Sequence, residues 1–253
     1  MLKKRIIPSL LYKNGEMVKG IQFDNYKNVG LPESTVEIYT SQESDELMFI
    51  NISDQKKYIN NFKNIIQQVS KKCEMPLTVG GGINNFESID EMFNAGADKI
   101  LINSQILKNF SFLQKFIKIH GTQALIVGID YRIEKGLHCV YSDFSKNKTN
   151  LNIFDYARTL EEKGAGEILL NCIDRDGKMD GYDIDTIDKL SHMLSIPLIG
   201  YGGAGNFQHI FDVLKNTEVS ALACSSIFHF GDNNPIRLRS YLRNNSIPMR
   251  VLK

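Results

Sequence analysis

The sequence predicts an α/β fold, one closed (β/α)8 barrel built from two repeated half-barrels, and three observations carry that prediction. Short apolar runs near 5–11, 46–51, 76–80, 98–103, 123–130, 166–172, 197–201 and 219–224 alternate with amphipathic stretches such as Lys57–Ser70, Ser88–Ala95, Ser111–Ile119, Ile153–Lys163 and Ile184–Met193. Strands apolar on both faces, each followed by a helix, signal a parallel sheet, and eight of them in about 250 residues suit a barrel. No Gly-x-Gly-x-x-Gly follows the first run, which counts against an open dinucleotide-binding sheet. The third observation is internal repetition at one offset. Pro76-Leu77 recurs as Pro197-Leu198, Gly81-Gly82 as Gly202-Gly203, Ser104 as Ser225 and Glu46 as Glu167, each 121 positions on. A repeat of this kind divides the chain into half-barrels of about 1–120 and 121–253 within one domain.

Two connections break the rhythm, Tyr12–Leu31 after the first strand and Tyr131–Leu151 after the fifth. Connections longer than about 12–15 residues in a compact domain usually serve function. Both fall on the face where the strands end, which carries the chemistry in barrels of this kind.

Lys+Arg (30) and Asp+Glu (29) nearly cancel, so the broad basic excess of nucleic-acid or anionic-membrane binding is absent. Cys73, Cys139, Cys172 and Cys224 are scattered without a CxxC pair. That spacing predicts reduced thiols and neither a metal site nor a redox cofactor. No apolar run approaches the roughly 20 residues that span a bilayer, and MLKKR passes directly into strand-like IIPSLL, so cytoplasmic residence is the expectation.

Glycines gather where strands end. Thr78-Val79-Gly80-Gly81-Gly82-Ile83 closes the third strand and Gly200-Tyr201-Gly202-Gly203-Ala204-Gly205 the seventh. Glycine lets backbone N–H groups approach an anion, and the next helix adds its N-terminal dipole. Each run has a polar companion on the neighbouring strand, Asn103-Ser104 in one half and Ser225-Ser226 in the other. Two facing cradles predict a ligand phosphorylated at both ends. Asp130, ending the fifth strand, is a candidate general acid or base, because partial desolvation raises a carboxylate towards neutrality. Capping a loop or pairing with Arg132 is the structural alternative. Asp176-Gly177, after the sixth strand, either meets substrate hydroxyls or shapes the phosphate loop. Acid–base chemistry ordinarily uses two groups of different pKa. The first strand ends Ser9-Leu10-Leu11-Tyr12 and the second Ile50-Asn51-Ile52, both without a carboxylate.

At the other mouth, Arg5, Glu46, Lys99 and Glu167 open strands one, two, four and six. Two cations and two anions either close into a salt-bridge ring or gate the entry of a small polar molecule; both readings stand on these residues.

The stretches KRIIP, MVKGIQF, DELMFINI, PLTVGGGI, GADKILINS, GEILLNCIDRDG, GYD, IPLIGYGG and SIFHF resemble the cyclase subunit of imidazole glycerol phosphate synthase over nearly the whole chain. The resemblance implies a partner glutaminase beneath the barrel. Its ammonia passes a gate and reacts above with a bisphosphorylated ribulosyl aminoimidazole carboxamide nucleotide. It assigns the gate to Arg5, Glu46, Lys99 and Glu167, and the partner-facing side to Asp98 and Gln123. Phosphate contacts fall to Gly82, Asn103 and Ser104, and to Asp176, Gly177, Gly203, Ser225 and Ser226. Asp130 is the fifth-strand catalytic aspartate, and Lys19 belongs to a first loop that closes over substrate. Leu11 stands where the family has its other catalytic aspartate, Asn51 replaces an aspartate, and Tyr201 replaces a small residue. These departures lead to the expectation of a paralogous branch that works with a separate amidotransferase to amidate a surface-polysaccharide sugar. The alternatives are the cyclase itself and a non-catalytic ammonia channel.

Overall fold

Eight strands close on one another in the computed structural model, which describes residues 3–142 and 147–250. In chain order the strands are β1 (Arg5–Lys13), β2 (Glu16–Ile21), β3 (Asp24–Gly30), β4 (Leu47–Asn51), β5 (Leu77–Gly80), β6 (Lys99–Ile102), β7 (Leu125–Glu134), β8 (Leu137–Ser142), β9 (Asn147–Asn152), β10 (Glu167–Cys172), β11 (Leu198–Tyr201) and β12 (Ala221–Cys224). Parallel pairing runs β1–β4–β5–β6–β7–β10–β11–β12 and returns to β1, so no edge of the barrel is left open. Helices connect these strands on the outside; Lys57–Ser70 is divided into Lys56–Asn60 and Phe62–Ser70, and Ile184–Met193 forms as the spacing predicts.

Residue alternation sorts each strand into an inner and an outer row. Ile6, Leu10 and Tyr12 face the helix layer, in one large apolar cluster with residues such as Phe62, Ile66 and Leu238. Ile7 faces inward with Met48, Leu101, Ile126, Leu169 and Ile199, in a second cluster that fills the barrel. The strands are therefore buried on both sides, as their continuous apolar composition requires. Asn85, Asn109, Asn152, Asp183, Asn206 and Asn234 start helices, each side chain accepting a backbone N–H of the first turn.

The two long connections are hairpins, whereas the sequence reading made them loops. β1 runs on to Lys13 and pairs antiparallel with β2, which pairs with β3; β7 runs on to Glu134 and pairs with β8, which pairs with β9. Residues 143–146 of the second connection lie outside the described residues. The turns are Asn14-Gly15 (φ 50° and 103°) and Lys135-Gly136 (φ 49° and 80°). Two consecutive positive φ values are what a tight hairpin between right-twisted strands requires, and Asn-Gly is its strongest short-range signal. These turns too lie 121 positions apart. Both hairpins rise from the carboxyl ends of barrel strands, and the first lines the cavity at the upper mouth with Phe23 and Tyr26.

Candidate functional site

Asp130 is held between two amides. Asn103 Nδ2 donates to its Oδ2 at 2.7 Å and Asn171 Nδ2 to its Oδ1 at 3.0 Å. Asn103, Asp130 and Asn171 close the inward rows of neighbouring strands β6, β7 and β10, so the clamp follows from strand order. Arg132 does not pair with Asp130; it reaches Asp174 at 3.1 Å. Burial pushes the Asp130 carboxyl up to about 7, the nearby charge of Asp176 pushes the same way, and the two amide bonds hold it lower than burial alone would. Around neutral pH such a group is present in both protonation states, which suits it to take a proton in one step and return it in the next.

Asp130 stands in the wall of a cavity of about 300 Å³, lined also by Leu11, Ile50, Gly82, Ser104, Asn171 and Tyr201. Leu11 projects from β1 with only 8% of its surface exposed. Leucine neither gives nor accepts a proton, so the first strand contributes shape and not acid–base chemistry. Among the described residues no group of three or more His, Cys, Asp or Glu side chains converges to hold a metal ion.

The two predicted cradles differ. In the first half, Gly81 has φ 90°, and a Cβ there would lie 1.9 Å from the Asn51 carbonyl oxygen, so only glycine permits this turn. Gly82 (φ 71°) has nothing within 4 Å of a Cβ position, leaving its backbone open towards the cavity. Ser104 begins a short helix beside it and also lines the cavity. Asn103, placed by the resemblance among the phosphate ligands, donates its side-chain amide to Asp130. In the second half, Gly203 (φ 113°) would bring a Cβ within 2.1 Å of the Gly181 carbonyl oxygen. Gly177, Gly203, Ser225 and Ser226 surround a hollow of only about 10 Å³ with Lys19 and Asp176. That is room for about one water.

Lys19 fills this second cradle. It is 2% exposed, and its Nζ lies 2.6 Å from Asp176 Oδ1. Burial works against its charge, but the neighbouring Tyr201 and Asp176 together keep the ammonium above the ordinary lysine value. The hairpin carrying Lys19 is latched onto the loop after β10: Gln22 N–H donates to the Asp176 carbonyl at 2.9 Å and Gln22 Nε2 to the Asp174 carbonyl at 3.1 Å. The other hairpin joins the same loop through Ile133 N–H and Arg132, both donating to the Asp174 carboxylate.

At the lower mouth the four predicted charges meet in a ring. Arg5 reaches Glu46 at 2.8 Å and also binds Glu167; Lys99 lies 3.5 Å from Glu46 and 3.2 Å from Glu167. Burial opposes the Arg5 charge, yet the carboxylates of Glu167 and Glu46 hold its guanidinium well above the usual arginine value. The ring lies directly beneath the apolar interior of the barrel. Asp98 and Gln123 stand on the same underside and are both exposed. Asp98 accepts the Leu77 N–H at 2.8 Å, and Gln123 donates to the His120 carbonyl.

Sequence reasoning did not single out Asn171, which half-controls Asp130. Its signal was available: Glu167, Leu169 and Asn171 share one row of β10, so an inward charge at the lower end marks an inward residue at the upper mouth. The hairpin residues Phe23 and Tyr26, which also line the cavity, carry no comparable signal, because their placement depends on how the hairpin folds over the mouth.

A family described as "Histidine biosynthesis protein" matches residues 5–234. The imidazole glycerol phosphate synthase subunit HisF of Flavobacterium johnsoniae is 39% identical over 251 residues, 99% of this chain and 100% of that protein. The subunit of the same name from a Hydrogenobaculum species is 38% identical over 252 residues, and that from Parabacteroides distasonis 36% over 251, each covering 99% of this chain and 100% of the relative. With the closed barrel, the charged ring below and the glycine cradle above, these matches show that the chain belongs to the HisF family of histidine biosynthesis proteins.

Proposed function

We propose that this chain is the synthase subunit of a glutamine-dependent imidazole glycerol phosphate synthase. A glutaminase subunit docks on the underside around Asp98 and Gln123. Ammonia enters through the Arg5–Glu46–Lys99–Glu167 ring, crosses the apolar interior and meets a phosphorylated nucleotide at the upper mouth. The first cradle, with the Gly82 backbone and Ser104, holds a phosphate, and Asp130 moves protons for the addition of ammonia and ring closure. The observation that carries this reading is the clamped Asp130 carboxyl, poised at about 7 in the cavity that the cradle borders. Full-length identity of 35–39% to proteins named as this synthase's HisF subunit supports it over surface-sugar amidation, the leading expectation drawn from the resemblance and its departures.

The test is turnover of the bisphosphorylated ribulosyl nucleotide by purified protein with ammonium salts, together with growth of a histidine-requiring strain that lacks its cyclase. Product formation and growth are expected. If neither occurs, ammonia is relayed to a different acceptor. Leu11 and Tyr201 favour that second reading, amidation of a polysaccharide sugar with a separate amidotransferase, since both alter the substrate pocket while the lower ring is complete.

A further inference from the structure

The repeat at 121 positions sets each residue of the second cradle against one of the first. Gly203 matches Gly82 and Ser225 matches Ser104, yet three other matched pairs differ in kind. Tyr201 stands where the first half has Gly80, and His229 where it has Lys108. Lys19, on the first hairpin, stands where the second hairpin has Val140.

Each difference leaves the first cradle open and closes the second. Gly80 brings no side chain to the mouth. The Tyr201 ring, 6% exposed, lines both the large cavity and the small hollow and so stands between them. Its hydroxyl lies in hydrogen-bonding relation with Ser9 and Ser225, which engages the serine matched to Ser104. Lys108 lies one turn along its helix from Ser104 and lines the same cavity, so a cation stands on that side. At the matched position, burial and the Lys19 charge push the His229 imidazole down to about 4, leaving it uncharged near neutral pH. Among the described residues lining the hollow Lys19 is the only cation, and Asp176 already holds it at 2.6 Å. A phosphate there would set a second anion beside Asp176 with no further cation to balance it. Space is short as well. A tetrahedron of phosphate oxygens needs several times the room of one water, and the hollow is about 10 Å³.

We propose that this chain grips its ligand through a single phosphate, in the first cradle, and that Tyr201 with the Lys19–Asp176 pair excludes a phosphate from the second. The inference rests on the proposed function for the phosphate at Gly82 and Ser104, and it adds the specificity. The far end of the ligand lies in the large cavity, against the apolar surfaces of Leu11, Ile50 and Tyr201. Such surfaces favour an uncharged end over an ionised one. A phosphate at that end therefore adds nothing to binding, in contrast to the doubly anchored ligand that the repeat by itself predicts.

The experiment titrates the full chain with inorganic phosphate by isothermal calorimetry, in wild type, Ser104→Ala, Ser225→Ala and Tyr201→Gly/Asp176→Asn, with the melting temperature of each. Wild type is expected to bind one phosphate per chain. Ser104→Ala should weaken that binding by about tenfold or more, as loss of a hydrogen bond to a charged group does, while Ser225→Ala stays within about twofold. Tyr201→Gly/Asp176→Asn gives the second half the glycine of the first and releases Lys19, so a second phosphate per chain is expected. Two phosphates per wild-type chain, or one weakened by Ser225→Ala and not by Ser104→Ala, overturns the inference and leaves the proposed turnover standing. A folded double variant that still binds one phosphate overturns the exclusion assigned to Tyr201 and Asp176; where it does not fold, the two serine variants decide. A wild type that binds no phosphate overturns the first-cradle anchor of the proposed function and this inference with it.

Discussion

The two mouths of the barrel treat charge in opposite ways. At the lower mouth, Arg5, Glu46, Lys99 and Glu167 satisfy one another across the opening, two cations against two anions. At the upper mouth Asp130 meets no cation among the described residues; two neutral amides hold it, and its carboxyl is pushed up to about 7. Lys19, a buried cation nearby, is paired with Asp176. A closed ring sets each charge against its opposite. A carboxylate denied a counter-charge is left able to exchange protons. The comparison teaches that pairing partners, more than burial, separate a structural charge from a reactive one.

The largest effect that tests this contrast is Asp130→Asn, which keeps the shape and removes the titrating group. Turnover with free ammonia should fall by about 10²–10⁴-fold; retention of more than a tenth of wild-type kcat would take proton transfer away from Asp130. Next comes Glu167→Ala in the lower ring. Removing one partner of a buried ion pair costs roughly 3–5 kcal/mol, so the chemical-denaturation midpoint should drop clearly. Where the variant folds, glutamine-driven turnover in the complex should fall more than ammonium-driven turnover. Equal losses in both assays would deny the ring a role in entry. Upper-mouth variants, by contrast, lose both activities together.

A third test follows the sign of the Asp130 shift. Its folded pKa of about 7 lies above its ordinary value, so its contribution to stability is fully present below pH about 4 and is lost as pH rises through about 7. Asp130→Asn should therefore gain melting temperature on wild type above pH 7 and gain little near pH 4. Activity moves the other way: with free ammonia held constant, kcat/KM should rise with pH through about 7 as the base form appears. A flat profile would remove the carboxylate from the rate-determining step. The smallest effect contrasts two positive-φ glycines. Gly136→Ala, on a hairpin turn with nothing within 4 Å, should cost about 1 kcal/mol. Gly81→Ala should cost more and weaken inorganic-phosphate binding, because its Cβ collides with the Asn51 carbonyl. Similar melting points for the two variants would mean that the cradle adjusts freely.

The strand and helix rhythm was legible along the chain because alternation and apolar runs are local properties. The positions of Asp130, Gly82, Ser104 and the four ring charges at strand ends followed directly from it. The hairpins were missed although Asn14-Gly15 announced one of them, since the long connections were read by length and not by turn chemistry. The repeat at 121 positions predicted two like cradles, but they differ in openness because the Lys19 side chain, carried by the first hairpin, fills one of them alone.

By itself, then, the sequence determined the barrel, the faces of its strands and the ends at which each charge would sit, because parity and periodicity depend only on near neighbours in the chain. Only the tertiary structure decided the partners: Asn103 and Asn171 for Asp130, Asp176 for Lys19, Asp174 for Arg132, and a cavity beside Tyr201. Those choices join residues far apart in sequence, and chain closure with hairpin packing, not local preference, brings them within bonding distance.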